Sequence, residues 1–121
     1  METMHFVLVI LLNIVTQVLS ECVSNKIGIG TVSTGRQIQG KHEWKVTVTN
    51  NCDCPQAPIY LNCKGFQPVK EVEPPILEKR GDQCLLINGR PLGPFASISF
   101  SYGMDSPFVL TASMSECVLK F

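Results

Sequence analysis

The stretch "NNCDCPQAPIYLNC", Asn50 to Cys63, holds three of the chain's six cysteines. A C-x-C pair with a third cysteine nearby suits three uses: metal coordination, thiol redox chemistry, or a covalent staple. Structural zinc takes Cys or His ligands in two close pairs. Here Cys52 and Cys54 have no second close pair, and the only histidines are His5 and His42. Redox sites favour C-x-x-C with a lowered thiol pKa. The even count, in a chain that opens like an exported one, favours the staple.

The chain opens with "METMHFVLVILLNIVTQVLSEC". Phe6 to Leu12 are all apolar, and Ile14, Val15, Val18 and Leu19 extend the run. Val18-Leu19-Ser20 offers compact residues where a signal peptidase reads, so cleavage is expected between Ser20 and Glu21. A membrane anchor is the rival, but the apolar run falls short of the ~20 residues a span needs. The first segment carries Glu2 and His5 and no Lys or Arg, which is unusual for a leader. Residues 1–20 are therefore read as a signal peptide and 21–121 as one cysteine-rich domain. The mature part keeps all ten Lys and Arg and loses only Glu2 among the ten acids, so it is close to neutral. No strong field favours nucleic acid or anionic lipid. A chain of this size buries a thin core, which cross-links would support.

The six cysteines are Cys22, Cys52, Cys54, Cys63, Cys84 and Cys117. In "APIYLNCK" the alternation puts Ile59, Leu61 and Cys63 on one face of a strand. Extended at ~3.3 Å per residue, Cys63 stands about 30 Å from Cys54. A disulfide needs Cα atoms within about 7 Å. Cys63 should thus pair with neither Cys52 nor Cys54, and those two are too close in sequence to bridge each other. Each of the three then takes a partner from Cys22, Cys84 and Cys117. If "KIGIGTVST" and "EWKVTVTN" pair antiparallel, Cys22 lies near the C-x-C end and Cys63 reaches Cys84 or Cys117. Four connectivities stay open. Each bridge would contribute about 2–5 kcal/mol, comparable with the whole margin of a small domain.

The rest reads as strand after strand. In "EWKVTVTN", Trp44, Val46 and Val48 face one way and Glu43, Lys45, Thr47 and Thr49 the other. Trp44 reads as a core anchor. "TGRQIQGKH" reads as a polar loop. "QPVKEVEPPILEKRGD" is the longest connection; Val69 and Val72 suit a short edge strand, and Pro74-Pro75 bars a helix. "QCLLINGRPLGP" is a strand entering a turn in which Asn88-Gly89 favours positive φ. "SISFSYG", "PFVLTAS" and "CVLKF" supply the last strands. The expected fold is all-β: a small, disulfide-stapled antiparallel β-sandwich of seven or eight short strands.

Catalytic chemistry is thin. No G-x-S-x-G, P-loop, Rossmann glycine motif or H-E-x-x-H occurs. Asp53, Asp82 and Asp105 are scattered over loops, Glu71, Glu73 and Glu78 line one connection, and His42 sits in a polar segment. A non-enzyme with no cofactor and no metal is expected. Lys79-Arg80 reads as an exposed turn, with processing by a secretory protease as the alternative. Tyr60, Phe66 and Tyr102 suit either core packing or an aromatic sugar-binding face.

The segments "WKVTVTNNCDC", "IYLNCKGF", "VEPPIL", "CLLINGRPLGP", "FSYG" and the final Cys117 resemble the plant tapetum determinant family of small secreted cysteine-rich proteins. Members often read F-x-Y-A where this chain has Phe100-Ser101-Tyr102-Gly103. The resemblance implies a protein secreted to the apoplast that binds the extracellular domain of a leucine-rich-repeat receptor kinase and helps specify cell fate in anthers. Some relatives carry a glycosyltransferase label, which the missing chemistry does not support. The alternative function is an extracellular carbohydrate-binding or cell-wall module without catalysis. Gly35–Lys41 and Gln67–Asp82 are the expected contact loops, because exposed loops on a rigid scaffold carry recognition.

Overall fold

The structure, a computed structural model, describes Cys22 and residues 26–118. The signal peptide and its cleavage point between Ser20 and Glu21 lie outside the described residues. Seven strands follow one another: β1 (Ile27–Ile38), β2 (Lys41–Asn50), β3 (Tyr60–Asn62), β4 (Leu77–Arg80), β5 (Gln83–Leu86), β6 (Ser97–Gly103) and β7 (Thr111–Met114). They form a three-stranded sheet in the order β1-β2-β6 and a four-stranded sheet in the order β4-β5-β3-β7. Every strand pair is antiparallel. The expected all-β architecture is what forms.

Alternation places the core. Val46 and Val48 of β2 pair with Phe100 and Ile98 of β6 and point inward. Ile59, Leu61 and Cys63 meet them from the other sheet, all three fully buried. Cys84 and Leu86 of β5, with Phe66, Val72, Leu92 and Leu110 from the connections, complete one cluster. Each fully buried aliphatic or aromatic side chain contributes about 1.5–3 kcal/mol. The covalent contribution adds to this. Cys63 and Cys84 are bridged with Cα atoms 5.9 Å apart, tying β5 to the end of β3. Cys54 and Cys117 are bridged across 5.8 Å.

Three segments differ from their sequence reading. Gly35–Lys41 is the end of a β1–β2 hairpin, not a polar loop. Gln39 and Gly40 take φ of 50° and 81°, the paired left-handed geometry of a tight hairpin turn. A bulge between Ser33 and Gln37 places Thr34, Gly35 and Arg36 opposite Glu43; Thr34 and Arg36 both donate to that carboxylate. Lys79 and Arg80 lie on β4, paired with Cys84 and Gln83, and the turn is the Gly81-Asp82 pair beyond them. A hairpin ladder closed by positive-φ Gly81 outweighs the weak strand propensity of "LEKR". Val69 and Val72 form no strand; Val69 N donates to Gly103 O, and Glu73 exchanges backbone hydrogen bonds with Ser101. Asn88 and Gly89 do take positive φ, joined by Ile87, in a one-turn 3₁₀ segment (Ile87–Gly89) that leads away from β5. Of "CVLKF", Cys117 makes a single bridge with Gln56, and 119–121 lie outside the described residues.

Candidate functional site

Two ends of the sandwich carry organised non-core structure. At one end the two expected contact segments meet. The pivot is Gly103, the buried last residue of β6. A Cβ there would stand 2.9 Å from Ile38 Cβ and 2.9 Å from Val69 Cγ2. Only a residue without a side chain lets the hairpin tip and the Gln67–Asp82 connection close on each other. A shallow depression of about 280 Å³ follows the seam, lined by Lys41, Gln67, Val69, Gly103, Met104, Asp105 and Ser106. Lys41 Nζ sits 3.0 Å from Asp105 across its mouth. Both side chains are well exposed, so the pair contributes little stability, at most about 1 kcal/mol, and leaves a polar rim of both signs. Trp44 lies beneath this end, half-buried, its Nε1 donating to Met104 O at 3.0 Å. It packs against the edge of the core rather than at its centre, where Val46 and Val48 sit.

The opposite end is built on the C-x-C loop. Asn50 closes β2 on its inward-facing side and is fully buried. Its Nδ2 donates to the carbonyls of Cys54, Leu92 and Gly93 at 2.9, 3.0 and 2.9 Å. Its Oδ1 accepts from Cys52 N at 2.9 Å. One amide thus joins the C-x-C loop to the Leu92–Ala96 loop. Gln56 is also fully buried and pairs its backbone with Leu92 in both directions. Its Oε1 has no hydrogen-bond partner among the described residues. Phe95 N donates to Cys52 O, and its ring, 67% exposed, stands on a backbone with φ of 55°. Strain of this kind persists only where the surroundings enforce it.

The cysteines gather at this second end and at β3–β5. Cys54 is bonded to Cys117 there, and Cys63 to Cys84 in the core; this pairing is among the four left open by the sequence. Cys22 and Cys52 are the two cysteines that carry no bridge in this structure. Burial, followed by the contact with Cys22, pushes the Cys52 thiol up to about 11. The dibasic pair is exposed on an edge strand, where Arg80 lies 3.3 Å from Glu78. The aromatic sugar platform does not assemble. Tyr102 and Phe66 are buried and stack edge-on at 4.9 Å. Burial pushes the Tyr102 phenol above its ordinary range, partly offset by a hydrogen bond from Phe108 N. His42 is exposed on β2 with its ring 6.3 Å from Trp44. Asp53 and Asp105 stand at the two different ends.

Residues 23–118, from just before β1 to just past Cys117, match the family model described as tapetum determinant 1, C-terminal. The chain belongs to the tapetum determinant family. The family match covers both ends of the sandwich and the two formed bridges. The chain is 31% identical over 100 residues to TPD1 protein homolog 1 of Arabidopsis thaliana, covering 80% of this chain and 56% of the relative. It is 34% identical over 89 residues to TPD1 protein homolog 1A of Oryza sativa subsp. japonica, covering 66% of this chain and 39% of the relative. An uncharacterized Arabidopsis thaliana protein is 32% identical over 100 residues, with 70% of this chain and 78% of the relative covered. The chain therefore spans 56% and 39% of the length of the two named homologs it matches. No solved structure matches it.

Sequence reading missed Asn50 and Gln56. A signal for Asn50 was present: it continues the inward parity of Trp44, Val46 and Val48, where a polar side chain must find partners.

Proposed function

We propose that this tapetum determinant-like protein is a secreted, non-catalytic signalling ligand. It is exported by residues 1–20, acts in the apoplast, and binds the extracellular domain of a leucine-rich-repeat receptor kinase in reproductive cell-fate specification, including anther development. Family membership supports the reading at its coarsest level. The observation that carries the finer level is the seam at Gly103. There the hairpin tip and the long connection form one preorganised patch with an apolar floor of Val69 and Met104 and a rim of Lys41 and Asp105. A patch already ordered loses little entropy on binding. The carbohydrate-module reading is weakened by the burial of Tyr102 and Phe66.

The test is a pull-down of the oxidised, secreted protein with a panel of leucine-rich-repeat receptor ectodomains, run beside a glycan array. Saturable capture by one ectodomain, lost on substituting Lys41 and Gln67 together, is expected. Glycan binding without any ectodomain binding would replace this reading by the carbohydrate module.

A further inference from the structure

We propose that Cys22 and Cys52 close a third disulfide, so that the C-x-C motif clasps the chain at both ends of the domain. The other two bridges account for Cys54, Cys63, Cys84 and Cys117, leaving these two as neighbours. The Cys52 thiol donates to the Cys22 carbonyl at 3.3 Å, and the two thiols are within hydrogen-bonding reach of each other. The Cys22 thiol donates to Asp53 Oδ1 at 3.3 Å. Cys54, next but one to Cys52, already holds Cys117 near the C-terminal end. A Cys22–Cys52 bond does the same for the segment ahead of β1. The loop that carries both bonds is itself fixed by the Asn50 amide, so each bond anchors to a rigid base.

Cys22, Asp53 and Cys54 also lie close enough together to suggest a metal site, with ligand atoms within 4.8 Å of one another. Cys54 has no thiolate to offer while bonded to Cys117. That leaves one thiol and one exposed carboxylate, too few for a closed zinc site.

Bond formation needs an oxidant, and a small-molecule disulfide of the glutathione class supplies it. Cys22 is half-buried and Cys52 is 2% exposed. The Cys22 thiolate therefore attacks first, forming a mixed disulfide and releasing one small thiol. The Cys52 sulfur, deprotonated as it reacts, then attacks Cys22 Sγ and expels the second small thiol. The protein pair loses two electrons and two protons, and the oxidant disulfide is reduced to two thiols. The high thiol pKa of Cys52 makes it a poor first attacker at neutral pH, consistent with this order.

The experiment is peptide mapping of the full chain after expression through an oxidising secretory route, with free thiols alkylated under denaturing, non-reducing conditions. No alkylated cysteine and a Cys22–Cys52 peptide pair are expected. Alkylated Cys22 and Cys52, Cys22 joined to Cys54 or Cys117, or equimolar zinc retained by the purified protein would each overturn the proposal. Cys22→Ser, at the more exposed position, should leave one thiol, at Cys52, with the other two bridges unchanged. A thiol freed at Cys54 or Cys117 instead would overturn it as well.

Discussion

The side chain of Asn50 donates to the carbonyl of Leu92 at 3.0 Å, joining the end of β2 to the turn that precedes β6. The same amide serves Cys54, Gly93 and Cys52, and it is fully buried. Asn50→Ala removes all of these partners and strands buried backbone groups, each costing about 1–3 kcal/mol when unsatisfied. With partial relaxation the expected loss is about 3 kcal/mol in denaturant unfolding at intact disulfides. Asn50→Asp should not rescue it, because a carboxylate oxygen would face the three carbonyls that Nδ2 now serves. A loss below about 1 kcal/mol for both variants would show that the two loops are held by other means.

Gly103 separates Ile38 from Val69 by the width of a missing methyl group. Gly103→Ala forces the hairpin tip or the connection to move by several tenths of an ångström. Overpacking of this kind costs about 1–3 kcal/mol, and it alters the patch proposed above for recognition. A lowered midpoint in denaturant together with at least a several-fold weaker ectodomain affinity is expected. An unchanged affinity in a folded variant would move the binding surface elsewhere on the sandwich.

Tyr102 gives the fold a dependence on alkaline pH. Its phenol is buried, and burial raises its pKa above the ordinary 10.0. The folded state therefore favours the protonated phenol. This contribution is present in full below pH 10 and falls away as pH rises above it, because the unfolded chain gives up its proton first. The chain has two tyrosines, so Tyr60→Phe leaves Tyr102 as the only phenolate signal. Ultraviolet titration of that variant should show ionisation displaced upward and coincident with loss of near-ultraviolet circular dichroism. Ionisation at the ordinary value in a still folded protein would contradict the buried setting.

How much of this was legible in the sequence follows from how each element is held. Trp44, Val46 and Val48, then Ile59, Leu61 and Cys63, then Phe100 and Tyr102 declare their inward faces by alternation, and all turn inward. The cysteine spacing restricted the bridges because chain extension is a local property. Strand β4 was hidden because "LEKR" has one apolar residue and owes its conformation to β5 alone. The closeness of Gly35–Lys41 to Gln67–Asp82 was hidden too. It depends on Gly103, which lies far from both in sequence and whose role is steric. Tyr102 and Phe66 offered a choice between core and surface that only the position of the second sheet decides.

Among the described residues, Gln56 buries a carbonyl oxygen that has no hydrogen-bond partner, while its Nε2 reaches the Cys54 sulfur at 3.5 Å. Its backbone is fully used, since N and O both pair with Leu92. The side chain is therefore the weak point of an otherwise satisfied loop. Gln56→Met keeps the length and most of the volume, removes the stranded oxygen, and gives up only a weak contact to sulfur. Leaving a buried acceptor unsatisfied costs about 1–3 kcal/mol, whereas an apolar replacement of similar shape is close to neutral or stabilising. Stability should rise by about 1 kcal/mol in denaturant unfolding, with the disulfides unchanged by peptide mapping. A loss of similar size would mean that the amide oxygen has a partner in solution, a buried water bridging it to the C-x-C loop being the natural one.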